Sequence, residues 1–157
     1  MEIRITRKQN GHGMLHCTRD NGSATWLPLT PFFVIHDLCH YAVETTLGLQ
    51  YAFYGMLAAG TDIRDFELPK DQRPFELTPE ALQAEQLVNL LVIEYSQGRM
   101  ENFLEELDHV NRMNNDRQRP VSLDGAGLEK IRVAFNMLTE RWHSLSENES
   151  LVLNFTN

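Results

Sequence analysis

The sequence has little cysteine, no long apolar run and no excess of positive charge, and each shortage argues against a class of protein. Its two cysteines, Cys17 and Cys39, are too few for the disulfide framework of a small secreted domain. Apolar runs stay short of the roughly 18–20 residues that a membrane-spanning helix needs. The formal net charge of -8 is opposite to the basic face that binds a nucleic-acid backbone. We therefore expect neither a nucleic-acid partner nor a membrane partner.

The composition is otherwise that of an ordinary globular chain. Hydrophobic residues make up 42% and charged residues 23% of the 157 residues, a length that suits one domain with one core. The opening segment, residues 1–13, has no apolar core of the kind found in signal peptides. We therefore expect a single domain over residues 1–157, located in the cytoplasm with both thiols free.

Strand patterns lie at the two ends of the chain. Residues 1–28 predict a β-meander, and Asn10-Gly11 is typical of a tight hairpin turn because both central positions of that turn need a positive φ. Pro28 is expected to end the third strand. Residues 150–156 alternate apolar and polar side chains again, which predicts a C-terminal strand added to the N-terminal sheet.

Residues 31–146 follow the period of helices instead. Thr30-Pro31 matches a helix cap followed by proline at the first helical position, although the apolar residues 32–35 can equally stay extended, with the helix beginning near the end of that run. Gly48 fits the C-terminal cap of this first helix.

Four further helices are predicted, separated by a charged loop at residues 61–77 and by a break in the pattern at residues 114–122. They are expected at about 50–59, from Thr78-Pro79 to Gly98, at about 100–113, and from Ser122 or Asp124 onward. The expected fold class is α+β: a small antiparallel N-terminal sheet, with the C-terminal strand added, packed on about five helices.

One apolar stretch, FFVIHDLCHYAVETTLGL at residues 32–49, contains four ionisable groups: His36, Asp37, His40 and Glu44. An α-helix turns by about 100° per residue, so the two histidines and the glutamate lie along one stripe beside the apolar face. Histidines at positions i and i+4 have Cβ atoms about 5–6 Å apart, which lets both rings reach one metal ion. We predict a divalent-metal site, with zinc as the first choice and His36 and His40 as ligands.

The rise of the helix limits what else this stripe supplies. His36 and Glu44 are about 12 Å apart along the axis, too far to share an ion through bonds of about 2.0–2.2 Å. We expect Glu44 to orient His40 or to form a separate pair with it, and Asp37 to position a metal-bound water; these two carboxylates are the candidate catalytic residues. If the protein is an enzyme, metal-assisted hydrolysis of a small molecule is expected. The third ligand must come from elsewhere, with four unranked candidates: His16, Glu85, Glu94 and His143.

The His-Asp-x-x-His pattern of residues 36–40 resembles two known metal motifs. It is similar to the His-Glu-x-x-His helix of zinc peptidases, with Asp37 in place of the glutamate that acts as base and with no downstream ligand motif. It also resembles the motif of an all-helical ubiquinone-biosynthesis family, which ends in a glutamate where this chain has Ala52. Both resemblances imply His36 and His40 as metal ligands.

Residues 1–60 resemble a family of uncharacterised bacterial proteins. The resemblance rests on the N-terminal hairpin, on a His-Asp-Leu-x-His-x-x-Val-Glu core that matches HDLCHYAVE at residues 36–44, and on the glycine-bounded short helix that contains YGMLAAG at residues 54–60. It implies that His36, Asp37, His40 and Glu44 belong together, and it brings no activity with it.

Two other interpretations of the stripe stay open. A histidine beside an apolar face often only forms hydrogen bonds with a carboxylate or a backbone carbonyl, so the four groups can be a structural polar network. The protein would then be a non-enzymatic interaction or assembly module, whose exposed apolar side chains serve a homodimer. The third interpretation is acid–base chemistry without a metal.

Overall fold

The computed structural model describes residues 1–113 and 122–156, which adopt an α+β fold. Over these residues the chain forms four strands and five α-helices, in the order β1 (Glu2–Arg7), β2 (Gly13–Thr18), β3 (Ala24–Leu29), α1 (Pro31–Leu47), α2 (Phe53–Ala59), α3 (Pro79–Gln97), α4 (Phe103–Met113), α5 (Gly125–Ser144) and β4 (Ser150–Asn154). The predicted fold class is therefore confirmed. Apart from Ser122, the predicted break at residues 114–122 lies outside the described residues.

All four strands join one antiparallel sheet in the order β3-β2-β1-β4. The C-terminal strand pairs with β1, with Ile3 opposite Leu153 and Ile5 opposite Leu151, as the alternating pattern at the two ends predicted. Since side chains alternate between the faces of a strand, these four apolar residues share one buried face. One core cluster contains side chains from this face and from all five helices.

The ends of two elements settle details that the sequence left open. The first helix begins at Pro31, the earlier of its two predicted starts, because the hydroxyl of Thr30 accepts a hydrogen bond from the backbone N–H of Phe33. The prediction that Pro28 ends β3 was wrong, since the strand continues to Leu29. A proline is tolerated here because β3 is an edge strand, where a missing N–H need not break a ladder.

Helix α1 packs against both α3 and α5. The long loop at residues 61–77 forms two short 3-10 turns, Ile63–Glu67 and Lys70–Gln72, and the first of these lies against β3. The loop is anchored there because the carboxylate of Asp62 accepts a hydrogen bond from the hydroxyl of Thr25, and that hydroxyl accepts one from the backbone N–H of Ile63. Helix α1, β3 and this loop are thereby brought together around one space.

Among the described helices, none combines the length and the apolar character needed to cross a membrane.

Candidate metal centre

His36 and His40, one turn apart on α1, point their rings toward the same carboxylate. The ring centroids lie 4.8 Å apart. Atom Nε2 of His36 is 3.4 Å from Oε1 of Glu85, and Nε2 of His40 is 3.1 Å from Oε2 of the same side chain. Within residues 1–113 and 122–156, these three side chains form the one group of at least three histidine, cysteine or acidic residues whose ligand atoms converge, all within 4.8 Å of one another.

Glu85 is supplied by α3. The hydroxyl of Thr78 caps this helix by accepting a hydrogen bond from the backbone N–H of Ala81, and Pro79 follows as its first residue. Glu85 lies four residues after buried Ala81 and three before buried Val88, so it borders the buried face of α3. Its side chain is 45% exposed, against 4% for His40, and the group therefore meets water on the side of Glu85.

Each imidazole also has a carboxylate at its other nitrogen. Atom Nδ1 of His40 is 3.2 Å from Oε1 of Glu44, and Nδ1 of His36 is 3.3 Å from Oδ1 of Asp37. A carboxylate at Nδ1 fixes the ring orientation and favours the tautomer that leaves Nε2 able to bind a metal. Both Nε2 atoms in fact face Glu85, on the side away from these carboxylates.

Glu44 is enclosed and has supports of its own. Its side chain has no exposed surface, and its Oε2 accepts hydrogen bonds from the backbone N–H groups of Tyr54 at 2.9 Å and Gly55 at 3.4 Å. Burial raises the pKa of Glu44, while the hydrogen bonds from His40 and from the two N–H groups oppose that rise. Because no substrate can touch it, Glu44 can influence a reaction only through His40.

The carboxylates also change the protonation of the rings. Burial is the largest single influence on His40 and lowers its pKa, but the hydrogen bonds with Glu44 and Glu85 outweigh burial and raise the pKa to about 9. The pKa of His36 is also raised, since its bonds with Asp37 and Glu85 exceed the effect of burial. Burial likewise favours a higher pKa for Glu85, yet the two imidazoles hold it well below its usual range. Without a metal, protons on the two rings offset part of the charge of the carboxylates.

A cavity of about 510 Å³ borders the cluster, and His36, Asp37, His40 and Glu85 form part of its lining. This volume lies within the range of small-molecule sites. Most of the other lining residues are apolar: Leu27, Leu29, Phe33, Phe53, Ile63, Phe66, Leu77 and Ala81. A metal held by the cluster would therefore face a space of suitable size for an organic ligand.

Of the four candidate third ligands, the structure brings only Glu85 to the two histidines. The other three side chains have partners elsewhere: His16 with Thr18, Glu94 with Arg132, and His143 with Tyr95. The position of Glu85 beside the apolar stripe of α3 indicated that its side chain could face α1. Glu94 borders the same apolar stripe, after Leu90 and Leu91, so the sequence could not rank the two glutamates as third ligand.

Arg73, from the loop at residues 61–77, also lines the cavity and was not predicted. Its Nε and Nη2 atoms donate hydrogen bonds to the carbonyls of Leu68 and Phe66, both at 2.9 Å. No spacing rule singles out this arginine, because its position depends on how an irregular loop folds over β3.

Neither cysteine contributes to the cluster. Cys17 and Cys39 are both buried, and both are free thiols, as the sequence predicted. Burial raises the pKa of Cys17 to about 12 and that of Cys39 well above its usual value, so both stay protonated thiols, whereas metal ligation requires the thiolate.

Comparisons of the chain with models of known protein families, with curated proteins and with solved structures found no match, so the resemblance to a bacterial family stays a prediction and the geometry of the cluster is the basis for assigning a function.

Proposed function

We propose that this protein binds one divalent metal ion, zinc as the first choice, through Nε2 of His36, Nε2 of His40 and a carboxylate oxygen of Glu85. The observation that carries the proposal is the convergence of these three ligand atoms within 4.8 Å beside the cavity. A tetrahedral site with bonds of about 2.0–2.1 Å has ligand atoms about 3.3–3.4 Å apart. Atom Nε2 of His36 lies 3.4 Å from Oε1 of Glu85, and Nε2 of His40 lies 3.1 Å from Oε2, so each imidazole is near that spacing from one of the two oxygens. Ligation of one ion through a single oxygen requires the carboxylate to turn toward both rings.

The ligand set favours a catalytic site over a structural one. Two histidines and one glutamate are the ligands of several zinc hydrolases, and three protein ligands leave a fourth position for water. A zinc ion lowers the pKa of such a water toward neutrality and so supplies a nucleophile. In this scheme Asp37 and Glu44 orient His36 and His40 through their Nδ1 atoms. Asp37 also lines the cavity, which Glu44 does not, and it is therefore the carboxylate proposed to position the water. The proposed reaction class is metal-assisted hydrolysis of a small molecule.

Metal content of untagged protein tests the proposal. Elemental analysis after incubation with zinc and gel filtration should give about one zinc per chain for the wild type. The double variant H36A/H40A should retain none while keeping its helical circular dichroism. The matched control H12A/H109A removes two exposed histidines and should bind zinc like the wild type. A wild type that retains no zinc, or an H36A/H40A variant that retains it, would contradict the proposal.

A second candidate function has one observation in its favour. All four ring nitrogens already face a carboxylate oxygen at 3.1–3.4 Å, so the network is satisfied without a metal. In that case the protein is a non-enzymatic interaction or assembly module, and the cluster is a structural polar network that links α1 to α3. Helix α5 offers a face for a homodimer, since Val133 and Met137 are each 58% exposed. Zinc titration separates the candidates, and sedimentation of the wild type and of a V133E/M137E variant tests the dimer.

A further inference from the structure

The cavity beside the cluster is lined by groups of different chemistry: the cluster itself, aromatic side chains and Arg73. We infer that its ligand is a small apolar molecule with one anionic group, a carboxylate in the first place, which Arg73 binds while the apolar body lies along the aromatic wall. That this ligand is also the substrate of the proposed hydrolysis rests on the proposed metal function. The binding of its anionic group by Arg73 does not.

One wall of the cavity is aromatic. The ring of Phe53 lies 5.2 Å from the ring of His40, and the ring of Phe66 lies 5.1 Å from that of Phe53 in an edge-to-face arrangement. Leu27, Leu77 and Ala81 add aliphatic surface to the same cavity. A strongly polar molecule would lose hydrogen bonds to water against these walls without replacement, whereas an apolar body loses none. The wall therefore favours a ligand with an apolar body.

Arg73 is held in place at the loop side of this wall. Its Nε donates to the carbonyl of Leu68, and its Nη2 donates to the carbonyl of Phe66, the residue whose ring belongs to the wall. These bonds occupy two of the five N–H donors of a guanidinium. The side chain is thus immobilised before any ligand arrives, which lowers the entropic cost of binding one.

Arg73 also lacks a carboxylate partner. Among residues 1–113 and 122–156, Nη1 of Arg73 donates no hydrogen bond and the side chain forms no ion pair, unlike Arg64 with Asp62 and Arg132 with Glu94. Glu67, the other charged residue of the loop that lines the cavity, is exposed. A partly buried guanidinium with spare donors matches the planar geometry of a carboxylate better than that of a neutral group.

A matched pair of fluorescent probes tests the inference. The probes 8-anilinonaphthalene-1-sulfonate and N-phenyl-1-naphthylamine share one apolar body, and only the first carries an anion. Titrations use chelator-treated protein, so that no metal competes for the anion. The wild type should bind the anionic probe at least 10-fold more tightly than the neutral one. Decanoate should displace the anionic probe at lower concentration than decanol does.

Variants then assign the preference to Arg73. Arg73→Gln should weaken the anionic probe at least 10-fold and leave the neutral probe unchanged, which also shows that the cavity is intact. Arg73→Lys should give an intermediate loss, since it keeps the charge without the fork of donors. Lys70→Gln, an exposed cation of the same loop, should bind both probes like the wild type.

Several outcomes would overturn the inference. They are equal affinity of the wild type for the two probes, no binding of either, an equal loss of both in Arg73→Gln, or an anionic preference that survives Arg73→Gln and disappears in H36A/H40A. Zinc binding, measured on the same preparations, keeps the two proposals separate. Zinc binding without discrimination between the probes would refute the anion site alone, and Arg73-dependent discrimination without zinc binding would refute the metal site alone.

Discussion

The imidazole of His40 and the carboxylate of Glu44 lie one turn apart on α1, and the 3.2 Å contact between Nδ1 and Oε1 is shut away from water by the surrounding chain. A buried carboxylate is costly unless its oxygens are satisfied, and here the second oxygen is satisfied by the backbone at the start of α2. Glu44 thus links the orientation of His40, a proposed metal ligand, to the packing of α1 against α2.

The first prediction concerns this link. Glu44→Gln should weaken zinc binding by about 10–100-fold, because the ring of His40 loses its charged support. It should also lower the free energy of unfolding of the metal-free protein by about 1–3 kcal/mol. With the amide oxygen on the two backbone N–H groups, the amide NH2 faces Nδ1 of the protonated His40 ring, and two donors then meet. Chelator competition and urea unfolding measure the two effects. Glu105→Gln, at an exposed position, is the control, and unchanged zinc affinity in Glu44→Gln would argue against a supporting role.

A second prediction separates the two glutamates of α3. Glu85→Gln should lower zinc affinity by at least 100-fold with a smaller cost in stability, because its side chain is 45% exposed. Glu94→Gln should lower stability more and leave the zinc affinity close to that of the wild type. The side chains of Glu94 and Arg132 are only 10% and 11% exposed, and Arg132 keeps Glu129 as a second partner, so the loss of stability should be about 1–3 kcal/mol. Equal effects of the two variants on zinc binding would contradict the assignment of Glu85 as the third ligand.

The raised pKa values predict proton release on metal binding. At pH 7 the ring of His40, with a pKa of about 9, is protonated, and that of His36 is protonated more than an ordinary histidine. Zinc requires both Nε2 atoms without protons, so binding should release more than one proton and strengthen as the pH rises toward 9. Two ordinary imidazoles would release about half a proton in total at pH 7. Calorimetry in buffers of different ionisation enthalpy measures the number directly.

The metal-free protein should show the opposite pH trend in stability. The pKa of His40 is about 9 in the folded chain and about 6.5 when unfolded, so the folded state binds the proton more tightly. The resulting stabilisation is fully present below about pH 6.5 and is lost as the pH rises through about 9. Urea unfolding at pH 6, 7.5 and 9 should show this decline in the wild type and a weaker one in His40→Asn. A wild type as stable at pH 9 as at pH 6 would contradict the raised pKa.

A fifth prediction concerns Gly55, whose backbone N–H faces Glu44. A Cβ added at this position would lie 2.1 Å from the carbonyl oxygen of Gln50, so the backbone would have to move. Gly55→Ala should therefore lower the free energy of unfolding by about 2–4 kcal/mol and weaken zinc binding by displacing a support of Glu44. Gly125→Ala, whose added Cβ meets no atom within 4 Å apart from its chain neighbours and the backbone of its own helix, should stay within about 0.5 kcal/mol of the wild type. Thermal unfolding of both variants is a direct check.

What the sequence alone determined about this protein is local in origin. Thr30-Pro31 starts α1, Asn10 and Gly11 both take the positive φ that their turn requires, and His36 and His40 share a helix face because the helical period places them there. The α+β class and the return of the C-terminal strand to β1 followed from the period of apolar residues, which is likewise set by residues close together in the chain.

Tertiary packing alone decided which groups meet the two histidines. Glu85 and Glu94 border the same apolar stripe of α3, and only the way that α1 lies against α3 places the first at the rings and leaves the second with Arg132. Arg73 reaches the cavity because a loop without a repeating pattern folds over an edge strand. Contacts between segments far apart in the chain leave no period in the sequence, whereas contacts within one helix do.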